Sequence, residues 1–139
     1  MLYLNESVTA SMQQEIEESA KHLKKAMKGL GTDENAIIKE IVNNSNEKRQ
    51  LIKAKYLAMY GKTLEEEIKS EISGHFLTGV LALLKPTAEY EAECARNAMK
   101  GLGTDENCLI QILCPKEGHE ILLLQESYKL RIIFSLNSA

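Results

Sequence analysis

A ten-residue segment that could supply metal ligands occurs twice in the chain. The sequence AMKGLGTDEN occupies residues 26–35 and recurs without change at residues 98–107, an offset of 72 residues. Its two glycines, Gly29 and Gly31 in the first copy, permit backbone angles that other residues resist, so several carbonyl groups can turn to one side. Carbonyl oxygens beside a carboxylate are hard ligands of the kind that calcium prefers. The segment is therefore a candidate calcium-binding corner.

The residues on either side of the glycines predict that the corner joins two helices. Apolar residues at helical spacing lead up to Met27 and predict a helix over about residues 13–28, with Ser11 as a possible cap. Downstream, Thr32 can cap a second helix that starts near Asp33 and has an acidic first turn, as the helix dipole favours. Exact duplication marks an internal repeat, so each copy predicts the same helix–loop–helix unit.

Capping signals predict the remaining helices of the first unit. Ser45 is expected to cap a third helix that ends at Gly61, and Thr63 with Glu66 forms a capping box for a fourth helix ending near residues 73–74. A nearly all-apolar fifth helix over residues 76–84 is expected to be central. The apolar faces should bury a set of side chains on the second and third helices: Ile37, Ile38, Ile41, Val42, Leu51, Ile52, Tyr56 and Tyr60.

The second unit restarts after Pro86 and is shorter. Thr87 is expected to cap a helix to Lys100, the corner recurs, and two more helices follow, the last over about residues 118–130. Leu109, Ile110 and Leu113 should repeat the apolar face. Adding the offset to the fourth and fifth helices leads to the end of the chain. The prediction is an all-α repeat protein with five helices in the first unit and about three in an incomplete second one.

The domain organisation predicted from these signals has four parts. They are an N-terminal tail (1–12), a first repeat (13–86), a partial second repeat (87–130) and a divergent C-terminal end (131–139). The last part departs from its counterpart because Gly61 maps onto Ile133.

These features closely resemble the annexin repeat over about residues 16–130. The segments that carry the resemblance are KGLGTDE in both copies, QLIK at 50–53, YG at 60–61, LE at 64–65 and SEISG at 70–74. The resemblance implies a helical-repeat fold and calcium-dependent phospholipid binding. It also implies the calcium ligands, namely the carbonyls of Met27, Gly29 and Gly31 with the carboxylate of Glu71. A weaker accessory site would use Thr32 and Glu34.

The second corner is expected to bind calcium weakly or not at all. Its matching positions are Met99, Gly101 and Gly103, but its distal acid would fall beyond Ala139. At both corners the resemblance suggests membrane contact, by Leu30 and Leu102 at the tips and by Lys28 and Lys100 with headgroups.

Composition narrows the partners. A net charge of −3 gives no electrostatic basis for nucleic-acid binding, and an acidic chain needs a bridging cation to bind an anionic membrane. Neither a signal peptide nor an apolar run of membrane-spanning length is evident, and the three cysteines suggest reduced thiols. These features predict a cytoplasmic protein that lies at membranes when calcium rises. The absence of a nucleophile–base pair or a metal triad argues against an enzyme.

One alternative stays open from the residues themselves. The glycine corners could serve only as turns in an all-α protein–protein interaction module. The incomplete second unit leaves apolar residues without partner helices, which predicts self-association, a covering partner, or a fragment of a longer protein.

Overall fold

The structure, a computed structural model, describes residues 9–137, with side chains up to Ile133. Within that range it contains eight α-helices and no strand, which confirms the all-α prediction. The helices form two compact units that divide between Leu84 and Lys85. The proposed tail falls largely on residues 1–8, which lie outside the described range, as do residues 138 and 139 of the proposed C-terminal end.

The first unit has the five predicted helices. They are α1 (Ala10–Ala26), α2 (Glu34–Val42), α3 (Asn46–Tyr60), α4 (Leu64–Glu71) and α5 (Gly74–Leu84).

The predicted capping signals of α3 and α4 are confirmed. Ser45 Oγ accepts a hydrogen bond from the Lys48 amide at 3.2 Å. Thr63 and Glu66 satisfy each other's backbone amides in a capping box. Gly61 ends α3 in the left-handed region at φ +69°, which a residue with a β-carbon rarely adopts.

Two helix boundaries differ from the prediction. Helix α1 begins at Ala10 with Thr9 as its cap, so it includes residues 10–12 and Ser11 is not the cap. Thr9 is as good a cap as serine, and its hydroxyl accepts from the Met12 amide at 3.3 Å. Helix α4 ends at Glu71, ahead of the expected residues 73–74, because Ile72 leaves the helical region at ψ 159°.

The first unit has a continuous apolar core. Its members come from all five helices: Ile16, Ala20, Leu23, Ala26, Met27, Ile37, Ile41, Ile52, Tyr56, Leu64, Ile68, Ile72, Val80 and Leu84. Two side chains predicted to be buried, Ile38 and Val42, are 42% and 57% exposed. The expectation that the fifth helix is central is also wrong, since only Val80 and Leu84 of α5 are buried.

The second unit consists of α6 (Thr87–Met99), α7 (Glu106–Leu113) and α8 (Gly118–Asn137). Its buried cluster is small and contains Ala92, Ala95, Ile112 and Leu124. Pro86 occupies the cap position of α6 without a side-chain hydrogen bond, so the predicted Thr87 cap is wrong. Ile110 and Leu113 were expected to repeat the apolar face, but they are 56% and 46% exposed.

Helix α8 is longer than expected and runs seven residues past Leu130 to Asn137. Ile133 stands where Gly61 ends the corresponding helix of the first unit, and it continues the helix instead. A β-carbon disfavours the left-handed termination that glycine allows. Among the described residues, no helix is long and apolar enough to cross a membrane.

Candidate metal centre at the first glycine corner

The first corner is a short loop that reverses the chain between α1 and α2. The Asp33 amide donates to the Ala26 carbonyl at 2.8 Å and closes the loop. Gly29 and Gly31 have φ angles of +97° and +81°. A β-carbon at either position would have nothing within 4 Å, so the requirement for glycine comes from the backbone angle rather than from crowding.

Asp33, not Thr32, caps α2. The Asp33 carboxylate accepts from the Ala36 amide at 3.0 Å, which corrects the predicted cap. The Thr32 hydroxyl is therefore available for another partner, and it donates to Glu71 Oε2 at 3.0 Å. This hydrogen bond brings the carboxylate from the end of α4 to the glycine corner.

Glu71 lies at an electrostatically unfavourable position. It is the last residue of α4, where the helix dipole presents its negative end. A carboxylate there is disfavoured by roughly 0.3–1 kcal/mol, and a bound cation would relieve that cost. The exposed side chain leaves room for such an ion.

The corner also carries unused carbonyl groups. Within the described part of the chain, the carbonyl oxygens of Met27, Gly29 and Gly31 accept no hydrogen bond, whereas the neighbouring carbonyls of Ala26 and Thr32 do. Nowhere in that part do three or more His, Cys, Asp or Glu side chains converge to hold a metal. A metal at this corner would therefore depend on one carboxylate and on backbone oxygens, a donor set that suits calcium.

The residues of the suggested accessory site lie at the start of α2. The Glu34 amide donates to the Thr32 carbonyl at 3.2 Å, which uses one of that oxygen's two lone pairs. The exposed Glu34 side chain adds a second carboxylate to this side of the corner.

The tip of the corner projects into solvent. Leu30 is fully exposed, and Lys28 beside it is exposed as well. The Met27 side chain is 3% exposed and anchors the corner in the core.

The second corner repeats this backbone but lacks the acid. Gly101 and Gly103 have φ angles of +92° and +84°, and the Asp105 amide donates to the Ala98 carbonyl at 2.8 Å. Thr104 is exposed and bonds no carboxylate within the described residues, in contrast to Thr32. Met99 is 44% exposed, so this corner is less firmly anchored. Lys100 and Leu102 are exposed at its tip.

Comparison with known proteins identifies the family. The annexin family model matches residues 18–83 and 90–139. The chain belongs to the annexin family. Annexin A13 of Homo sapiens is 48% identical over 124 residues, which cover 89% of this chain and 39% of the relative. Annexin A4 of Sus scrofa is 45% identical over 82% of this chain and 36% of the relative.

Solved annexin structures share the fold. A calcium-bound annexin (Sm)1 superposes with a TM-score of 0.83 at 32% identity, over 86% of this chain and 34% of that chain. Annexin III gives a TM-score of 0.73 at 36% identity, over 84% of this chain and 36% of that one. The chain thus spans less than two-fifths of the length of each of these annexins.

A second polar group in this annexin chain escaped the sequence reasoning. Glu67 of α4 is only 12% exposed and pairs with Lys24 of α1 at 2.7 Å. It also accepts a hydrogen bond from the Tyr56 hydroxyl. Burial alone would raise the pKa of Glu67, but the hydrogen bonds from Lys24 and Tyr56 outweigh it and hold the pKa below its usual value. Burial, reinforced by Glu67, raises the pKa of Tyr56 well above its usual range.

This group ties the helix that carries Glu71 to the helix that leads into the corner. A signal for it exists in the sequence, because Glu67 lies one turn before Glu71 in an acidic run. The run alone does not single out the buried member, which depends on where Lys24 and Tyr56 point.

Proposed function

We propose that this chain binds anionic phospholipid surfaces in a calcium-dependent manner. In this proposal, calcium is held at the first corner by the carbonyls of Met27, Gly29 and Gly31 and by both oxygens of Glu71. The observation that supports it is the 3.0 Å hydrogen bond from Thr32 to Glu71, which holds a carboxylate beside unused carbonyls.

Coordination numbers support a bridging role for the ion. Calcium takes six to eight oxygen ligands, and three carbonyls with one bidentate carboxylate supply fewer. The remaining positions would take water or a lipid phosphate. A net charge of −3 opposes direct attraction to an anionic surface, so a divalent ion between protein and lipid resolves the repulsion.

The exposed tip would make the remaining membrane contacts. In our proposal the Leu30 side chain enters the interfacial region and Lys28 meets headgroups. Lys100 and Leu102 would do the same at the second corner, whose Met99, Gly101 and Gly103 carbonyls bind calcium weakly for lack of an acid. Thr32 and Glu34 would form the accessory site.

The relatives are consistent with this assignment. One of the solved annexin structures that the chain resembles is calcium-bound. We extend calcium binding from that protein to this chain, and with it a binding rather than catalytic role, peripheral to membranes in the cytoplasm.

Co-sedimentation with phosphatidylserine vesicles tests the proposal. The wild-type chain should pellet with vesicles in calcium and stay in the supernatant with chelator. Glu71→Gln should lose most of this binding, because it removes a charge and a bidentate ligand while keeping the side-chain shape. Glu126→Gln, the same charge change at an exposed position of α8, is the matched control and should behave as wild type. Equal calcium-dependent pelleting of both variants would refute the assignment of Glu71.

A folded wild-type chain that pellets in neither condition would refute the function itself. The glycine corners would then be structural turns, as in the interaction-module alternative.

A further inference from the structure

The second unit contains an apolar groove formed by α6, α7 and α8. The groove has a volume of about 400 Å³, and all the residues that line it belong to this unit. Its apolar lining includes Ala95, Met99, Leu109, Leu113, Ile121 and Leu124.

The internal repeat shows what such a surface meets when it is covered. At the offset of 72, Leu109, Leu113 and Leu124 correspond to Ile37, Ile41 and Ile52 of the first unit. Those three side chains are 0%, 2% and 3% exposed. They belong to one buried cluster with apolar residues of α4 and α5, namely Leu64, Ile68, Ile72, Val80 and Leu84. The groove therefore corresponds to the surface that α4 and α5 cover in the first unit.

Polar groups at the groove retain the recognition of α4. In the first unit, Lys24 and Tyr56 both bind the Glu67 carboxylate of α4. Their counterparts are Arg96 of α6 and Tyr128 of α8, two donors of the same kind. Neither Arg96 nor Tyr128 makes a side-chain hydrogen bond or an ion pair with another residue that the structure describes. The groove therefore presents two donors suited to one carboxylate.

The groups that hold α5 are not retained. In the first unit Arg49, Gln50 and Lys53 donate to the carbonyls of Leu83 and Leu84 at the end of α5. The counterparts of these three donors are Ile121, Leu122 and Gln125. Two of the three cannot donate from their side chains. The groove is thus suited to one helix in the position of α4 rather than to a helix pair.

We propose that this groove binds an amphipathic helix from another polypeptide. The helix carries an apolar stripe at i, i+4 and i+8, as Leu64, Ile68 and Ile72 do in α4, with a glutamate one residue before the middle apolar position. The glutamate accepts hydrogen bonds from Arg96 and Tyr128, and the stripe packs on Leu109 and Leu124. This interaction does not depend on calcium.

A second copy of the chain is a poor source of such a helix. Its α4 is already packed in its own first unit, where Leu64 and Ile68 are 0% exposed. Donating α4 to a neighbour would expose that core in exchange for a smaller one.

A peptide with the sequence of residues 61–73 is a direct probe, because it contains α4 with Glu67. Short helices are marginal in water, so the peptide is closed by a lactam between Glu66 and a Ser70→Lys substitution, two positions that are exposed in α4. The full 139-residue chain is titrated in chelator with the fluorescently labelled peptide, and anisotropy reports binding.

We expect saturable binding at one peptide per chain. Arg96→Glu in the protein, or Glu67→Gln in the peptide, should weaken it about tenfold or more, since each removes a charged hydrogen bond. A Glu67→Lys peptide should recover binding to the Arg96→Glu protein. Lys39→Glu, an equal charge reversal at an exposed position of the first unit, should bind as wild type.

Three results would overturn the proposal. One is the absence of binding by a chain whose circular dichroism shows a folded helical protein. Another is binding that Arg96→Glu and Glu67→Gln leave unchanged. A third is a dimer in sedimentation equilibrium that Leu124→Asp dissociates and the peptide does not, because a second copy would then occupy the groove.

Discussion

Thr32 and Glu71 lie 39 residues apart in the chain and are joined by a hydrogen bond of 3.0 Å. The bond distinguishes two corners of identical sequence, since Thr104 in the second corner bonds no carboxylate among the described residues. Thr32 is free to make it because Asp33 takes over the capping of α2. We regard Thr32 as a positioning residue for the carboxylate.

Replacing Thr32 with valine should weaken calcium binding while leaving the fold intact. The substitution keeps the shape of the side chain but removes the hydroxyl that orients Glu71. Loss of one hydrogen bond of about 1 kcal/mol corresponds to roughly a fivefold loss of affinity. Isothermal titration calorimetry with calcium measures it. Thr104→Val makes the same change in the second corner and should leave the affinity unchanged; similar losses in both variants would contradict a specific role for Thr32.

Gly31→Ala should destabilise the first corner without any steric clash. A β-carbon there meets nothing within 4 Å, but the φ of +81° is costly for alanine, by about 1–2 kcal/mol. Urea unfolding should show that loss, together with a weaker response to calcium. The matched control is Gly79→Ala within α5, which also has open space and should stabilise the protein by up to about 1 kcal/mol. An unchanged midpoint for Gly31→Ala would mean that the loop relaxes to a conformation other than the one described.

The sequence was sufficient to predict the features that depend on short segments. The all-α architecture, the Ser45 cap, the Thr63–Glu66 capping box and the Gly61 helix end all follow from local signals, and all are present. The duplicated segment predicted two equivalent corners, and their backbone angles agree within a few degrees.

Features that depend on tertiary packing were not predictable in the same way. Apolar periodicity marks both Ile37 and Ile38, yet only Ile37 is buried, because burial depends on which helices cover that face. Thr32 and Asp33 are both acceptable caps, and only the approach of Glu71 decides between them. The Glu67 group is in the same class, since nothing local pairs it with Lys24 and Tyr56.

The two leucines at the corner tips should differ in their effect on membrane binding. Leu30 and Leu102 are both fully exposed, but calcium is expected to hold only the first corner firmly against lipid. Leu30→Ser should therefore raise the lipid concentration needed for half-maximal co-sedimentation about tenfold, the loss expected from removing one buried apolar side chain. Leu102→Ser should have a small effect. Neither substitution touches the core, so both variants should unfold at the wild-type urea concentration. A larger effect of Leu102→Ser would assign the principal contact to the second corner.

Acidification should weaken the first unit through Glu67. The pKa of Glu67 is lower in the folded chain than the usual value of 4.5, so its contribution is complete above about pH 4.5. It is then lost as the pH falls through the folded-state value. At pH 7, Glu67→Gln should cost about 1–2 kcal/mol, because the ion pair with Lys24 is lost.

Urea unfolding of wild type and Glu67→Gln across pH 7 to 3 measures this effect. The difference between the two proteins should shrink as the pH falls below 4.5, which separates Glu67 from other carboxylates with lowered pKa such as Glu17 and Glu93. Lys24→Met removes the partner and should reduce the same pH dependence. A difference that stays constant down to pH 3 would mean that Glu67 contributes through packing alone, and the donor pair of Arg96 and Tyr128 would then lose its closest parallel.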